Sequence, residues 1–132
     1  MKVRSLDYLK EQILGHKIVK SEGNAIVFDN GLILSIEETE QDGCAGASGE
    51  FKDVVLNVAI TNISDIEFDP WETEEDFGCQ ASVIFLHNTD IICKAFAVAE
   101  ADNYDYAVAS FIVCPVGEEE YMVDFVSADD GE

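Results

Sequence analysis

Lys94 is the only cation after residue 52, and it stands close in sequence to Phe96, Asn103, Tyr104 and Tyr106. An ammonium group, aromatic rings and a side-chain amide together make the equipment of a nucleotide site. Aromatic faces stack on a base, the amide reads its edge, and lysine meets phosphate. The same residues also suit an ordinary hairpin, with Phe96 in the core, Asn103 in the turn and the tyrosines packed across strands. Arg4 and Lys17 are further cations that a neighbouring copy of the chain could bring to such a pocket.

Other chemistries leave little trace. Cys44, Cys79, Cys93 and Cys114 contain no C-x₂₋₄-C pair, and His16 and His87 form no H-x₃₋₅-H pair, so the zinc-ribbon pattern is absent. Cys93 and Cys114 sit in apolar runs, where a reduced thiol behaves as a small hydrophobe; four reduced thiols in a cytoplasmic protein are expected. Gly43-Cys44-Ala45-Gly46-Ala47-Ser48-Gly49 is spaced G-x-x-G-x-x-G, with no Gly-Lys-Ser/Thr, so it is neither a Walker A loop nor a dinucleotide fingerprint. It reads as a compact turn. Asp65, Glu67 and Asp69 alternate like calcium ligands, yet the glycine and the closing glutamate of an EF-hand loop are missing. Carboxylates are too numerous to single out a glycosidase pair, and no G-x-S-x-G elbow exists. No catalytic residue, no metal ligand and no cofactor is expected, and the chain reads as a binding protein rather than an enzyme.

Charge narrows the partners. The 132 residues carry 28 Asp and Glu against 7 Lys and Arg, a net charge of −21. The first twenty residues hold Lys2, Arg4, Lys10, Lys17 and Lys20 against Asp7 and Glu11; the other 112 hold only Lys52 and Lys94 against 26 acidic residues. Such a chain repels nucleic-acid backbones, so no binding along a DNA or RNA backbone is expected. The acidic clusters Glu37–Asp42, Asp65–Asp76 and Glu118–Glu132 read as solvated loops and tail, or as a field that steers a basic partner. With 48% hydrophobic residues the chain has enough apolar material for a core, so charge does not imply disorder. No apolar stretch approaches a membrane span, and residues 1–15 do not read as a signal peptide.

The elements that must position these residues follow from periodicity. Ser5 is a helix N-cap and Gly15 a C′ stop, with Leu6, Leu9 and Ile13 at helical spacing, which predicts a helix over Leu6–Leu14. Strands are expected at His16–Ser21, Ala25–Phe28 and Leu32–Glu38, with Asn30-Gly31 forming a type I′ turn. Glu40–Glu50 reads as a loop, Val54–Val58 and Ile60–Phe68 as strands, and Asp69-Pro70-Trp71 as the start of an acidic loop reaching Gly78. Strands Ala81–Leu86, Ile91–Val98, Tyr106–Val113 and Tyr121–Val126 follow, with a turn at His87–Asp90. The sum is a single α+β domain over residues 1–132: a short N-terminal helix on a mostly antiparallel β-sheet, curled or packed as a small sandwich. Its core spans about residues 5–126, and a disordered acidic tail is expected at residues 127–132.

Several segments in order carry a family resemblance: Leu14-Gly15-His16-Lys17-Ile18-Val19, Phe28-Asp29-Asn30-Gly31, Leu34-Ser35-Ile36-Glu37, Gly43-Cys44-Ala45-Gly46 with Gly49-Glu50-Phe51, Ala59-Ile60-Thr61-Asn62-Ile63, and Asp102-Asn103-Tyr104-Asp105-Tyr106 leading to Phe111. Over residues 13–112 this order resembles the first family of anti-Thoeris proteins. Those phage proteins are sponges: they bind cyclic ADP-ribose isomers made by bacterial TIR-domain enzymes and hold them uncleaved, so the downstream effector stays inactive. Some members also bind cyclic oligonucleotide signals at a second type of site. The resemblance implies a cytoplasmic homo-oligomer with ligand at subunit interfaces. It maps Asn103 onto the asparagine of the family's Asn-Gly-Tyr-Tyr-like turn, Tyr104 or Tyr106 onto its aromatics, and Phe96 onto a base-stacking role. The chain departs from the family where Tyr104, not glycine, follows Asn103, and where Ala47 or Ser48 replaces the second cysteine of the glycine-rich loop.

Two functions of different class are therefore expected. The first is sequestration of a cyclic nucleotide signal. The alternative is an acidic inhibitor of the anti-CRISPR or DNA-mimic kind, whose carboxylates dock on a basic nuclease or DNA-binding protein.

Overall fold

Two short-range signals set the start of the chain. The computed structural model describes residues 1–102 and 105–129. After a two-residue strand, β1 (Lys2–Val3), the Ser5 hydroxyl accepts the Tyr8 amide N–H at 3.2 Å and caps helix α1 (Leu6–Ile13). Gly15, at φ 85°, turns the chain out of the helix in the left-handed region, where glycine carries no Cβ penalty. Leu9 and Ile13 share the buried face.

The rest of the described chain is strand and turn: β2 (Ile18–Glu22), β3 (Ala25–Phe28), β4 (Ile33–Asp42), β5 (Gly46–Lys52), β6 (Asn62–Ile63), β7 (Glu67–Glu72), β8 (Asp76–His87), β9 (Asp90–Asp102), β10 (Tyr106–Cys114) and β11 (Tyr121–Asp129). They form a six-stranded sheet in the order β1-β11-β10-β4-β3-β2. A five-stranded sheet has the order β5-β9-β8-β6, with β7 also paired to β8. Every pairing is antiparallel except β1 with β11. The class is α+β as expected, and the sheets do not close into a barrel. They face each other, with β9 and β8 lying against β10 and β11. No helix is long and apolar enough to cross a membrane.

Alternation builds the core. On β9, Ala95, Ala97, Ala99 and Ala101 point inward and are buried, while Lys94, Phe96, Val98 and Glu100 point outward. Ala81, Ala107, Ala109 and Ala128 add to this small-residue lining, and Phe28, Phe85, Phe111 and Phe125 fill the wider parts. The rings of Phe111 and Phe125 stack at 4.4 Å. Gly49 on β5 lies directly against Ile36 of the other sheet. A β-carbon there would be 3.2 Å from Cβ of Ala97 and closer still to Cγ2 of Ile36.

β4 and β5 run on from one another, as do β9 and β10. β4 pairs with β10 from Asp42↔Tyr106 onward, and β5 pairs with β9 from Gly46↔Glu100 onward. The four strands are thus one long antiparallel ribbon folded over from the first sheet to the second. At the fold Gly43 has φ 65°, and the Cys44 amide N–H donates to the Asp105 carboxylate at 3.0 Å.

Several expectations need correction. Glu40–Glu50 is not a loop: β4 continues to Asp42 and β5 begins at Gly46, because the glycines allow the sheets to approach closely. Val54–Val58 is not a strand. Its amides at Val55 and Asn57 donate to Ile92 and Ile18, so it bridges the two sheets, and Asn57 takes φ 64°. Ile60–Phe68 is divided between β6 and β7. The acidic loop expected from Asp69 is hairpin β7–β8, which keeps Pro70 on an outer strand of the sheet. Asn30-Gly31 is not a type I′ turn. Only Gly31 has positive φ, and Gly31 N–H to Phe28 C=O with Phe28 N–H to Leu32 C=O makes a three-residue loop. Nor is residue 127 the start of a disordered tail, since β11 pairs with β10 as far as Asp129; residues 130–132 lie outside the described residues. Finally, β9 and β10 are not a hairpin but enter different sheets.

Candidate functional site

The outward residues of β9 and its neighbours lie in cross-strand rows. Lys94 stands between Lys52 on β5 and Ile84 on β8; Phe96, the next outward residue along β9, stands between Glu50 and Ser82. Lys52 Nζ lies 4.7 Å from the centroid of the Phe96 ring, a cation–π distance. Phe96 is therefore partly buried on the outer surface, not in the core. Beyond it, Glu67, Phe68, Asp69, Gln80 and Ser82 complete a shallow groove of about 510 Å³.

Like charges placed directly opposite on a sheet destabilise it. Lys52 and Lys94 are so placed, and among the described residues neither makes an ion pair. In a chain with 28 carboxylates that arrangement leaves two ammonium groups without an ion-pair partner among the described residues, Lys52 resting on the Phe96 ring. The face thus carries two ammonium groups, an aromatic ring, and the hydrogen-bonding side chains of Glu50, Gln80 and Ser82.

The structure does not bring the other expected site residues to this face. Tyr106 lies on the outer face of the six-stranded sheet, between Asp42 and Asp129. Arg4 lies at the opposite sheet's edge, where its backbone N–H donates to the Met122 carbonyl and its guanidinium sits 4.6 Å over the Tyr8 ring. Asn103 and Tyr104 lie outside the described residues. Lys52 is the residue that sequence reasoning missed. The alternation of Ala45, Ala47, Gly49 and Phe51 on one parity was the available signal for a strand that turns Lys52 outward.

A second cluster sits where the ribbon folds. The Cys44 thiol and the Asp102 and Asp105 carboxylates have ligand atoms within 4.8 Å of one another. A hydrogen bond shared with Asp105 raises Asp102, with burial and the negative charges of Asp105 and Asp76 adding to it. The same bond and the Cys44 amide N–H lower Asp105. The opposite shifts mark Asp102 as the donor side and Asp105 as the acceptor side of that bond when a proton lies between them, and the Cys44–Asp105 contact ties the corner together. All four cysteines are free thiols. Comparison with family models, with curated proteins and with solved structures returns no match for this chain.

Proposed function

We propose that this protein binds a phosphate-bearing cyclic nucleotide on the outer face of the five-stranded sheet and holds it without cleaving it. The observation that carries the reading is the opposed pair Lys52 and Lys94 beside Phe96, with no ion-pair partner for either among the described residues. The resemblance to the first anti-Thoeris family supplies the ligand class, a cyclic ADP-ribose isomer made by a TIR-domain enzyme, and with it a homo-oligomer that blocks Thoeris immunity. Sequestration asks only for affinity, which the lysines and the ring provide.

A net charge of −21 opposes an anion at long range, but at physiological salt the screening length is about 8 Å. The lysines act on a contact anion within that distance. Glu50 and Glu67 lie in the cross-strand row of Phe96 rather than in that of the lysines.

Calorimetric titration with the product of an active TIR enzyme tests the reading, followed by heating the complex and chromatography of what is released. Tight binding and intact ligand are expected. Lys94→Ala and Lys52→Ala each remove a charge-assisted contact and weaken binding about 10- to 100-fold, and Phe96→Ala abolishes it without unfolding the domain. Wild-type affinity in folded Lys94→Ala and Phe96→Ala proteins would remove the site from this face. Recovery of a cleaved ligand would make the protein an enzyme.

A further inference from the structure

At the far end of the same sheet, the tip of the β7–β8 hairpin lies beside the end of β11 and encloses a groove of about 700 Å³, lined by residues 70–78 and Asp129. That volume is in the range of sites that take a ligand group. Two aromatic residues, Trp71 and Phe77, line it together with Glu72, Glu74, Glu75 and Asp76. Trp71 is the only tryptophan of the chain. Its indole packs against Gly78, where a β-carbon would meet ring atoms Cζ2 and Cε2 at 2.5 and 2.7 Å. The ring is therefore held against the sheet while the residue stays partly exposed.

The turn is set by its own hydrogen bonds. Thr73 N–H donates to the Asp76 carbonyl at 2.7 Å, and the Thr73 hydroxyl accepts the Asp76 amide at 3.0 Å. Among the described residues, Glu72, Glu74, Glu75 and Asp76 make no ion pair. A tryptophan face with carboxylates around it is complementary to a planar cation. Guanidinium stacks on indole while its N–H groups fork to carboxylates, and it sheds water more readily than an ammonium does.

We propose that this groove docks an arginine side chain of a basic partner protein. The groove is about 20 Å along β8 from the lysines, since Gly78 is six residues from Ile84, which stands opposite Lys94; its nearer edge adjoins the Asp69–Gln80 end of the Phe96 groove.

The test uses Trp71 as its own reporter. The full-length protein is titrated with an arginine-rich peptide, with a lysine peptide of equal charge and with spermine, while tryptophan emission is followed at physiological salt. A saturable emission change with the arginine peptide is expected, with binding about tenfold weaker for the lysine peptide and weaker again for spermine. The double variant Glu74→Gln/Glu75→Gln should lose about tenfold in affinity. Glu118→Gln/Glu119→Gln, which removes the same charge elsewhere, should bind as the wild type does. Equal loss in both double variants would overturn the proposal in favour of diffuse electrostatic attraction. Binding seen by calorimetry with no change in Trp71 emission would place the partner elsewhere, and equal affinity for the two peptides would overturn the guanidinium assignment.

Discussion

A single methyl group added at Gly49 tests how the two sheets meet. Gly49 faces inward on β5, and its backbone lies outside the left-handed region, so alanine is acceptable there on φ alone. The new β-carbon would sit 2.8 Å from the Phe96 carbonyl oxygen, 3.2 Å from Cβ of Ala97 and closer still to Cγ2 of Ile36. Carbon atoms pack at about 3.5–4.0 Å, so roughly 1 Å of overlap must be relieved. The Phe96 carbonyl belongs to the β5–β9 ladder and Ile36 is fully buried on β4, so neither can swing aside. Overpacking of this kind costs about 1–3 kcal/mol. Loss of glycine's freedom in the unfolded chain offsets about 0.4–1 kcal/mol of that. The balance is a loss of about 1–2 kcal/mol, or a fall in Tm of about 3–8 °C for a domain of this size. Gly46→Ala is the control: its β-carbon would find only Glu38 Oε2, at 4.0 Å, so Tm should hold or rise. Thermal and urea denaturation of the two variants give the comparison. An unchanged or raised Tm for Gly49→Ala would refute direct contact between the sheets at this point.

Two further outcomes follow from the titrating groups. Burial, with the Asp53 charge, pushes the Cys93 thiol up to about 12, while Cys44 is exposed; Ellman's reagent at pH 8 should therefore label Cys44 in the native protein and Cys93 only after denaturation. Labelling of native Cys93 at the rate of Cys44 would contradict its place in the core. Asp102 titrates above the ordinary aspartate value, chiefly through its hydrogen bond to Asp105, so the stability that its proton contributes is present at low pH and lost as pH rises through the folded value. Asp105 runs the other way, its contribution being lost as pH falls. Asp102→Asn keeps a donor to Asp105 at every pH, so its Tm should gain on the wild type as pH rises above the ordinary aspartate range; a constant difference across that rise would refute the hydrogen bond to Asp105 as the source of the shift.

What the sequence disclosed was local. The Ser5 cap, the Gly15 stop and the spacing of Leu9 and Ile13 lie within one helix and need no partner to be read. The inward alanines of β9 alternate strictly, which marks a strand before its neighbours are known. Gly46–Lys52 was hidden because glycine and serine have low strand propensity, although here small size is what lets the sheets close. Val54–Val58 misled in the opposite direction: its apolar run suggests a strand, yet Val55 and Leu56 remain more than two-fifths exposed on a crossing segment. The site depended on register between distant strands. Nothing near Lys94 in sequence says that Lys52 stands across from it, and a slip of one residue would have turned Lys52 inward.

The folded-over ribbon also sets an order of events in time. Thr39 and Ser110, 71 residues apart, share a hydrogen bond across β4 and β10, and Cys44 reaches Asp105 over 61 residues at the corner. The meanders β2–β3–β4 and β7–β8–β9 can form from neighbouring residues, but neither sheet is whole until the two halves of the ribbon have found each other. Closing loops of that length before any contact rewards it places such folds in the range of about milliseconds to seconds. During synthesis the wait is longer, because β10 and β11 emerge after all the strands that they must cover. Until then the inner faces of both meanders stand open to solvent, and that interval is when the chain is most exposed to aggregation and most in need of a chaperone.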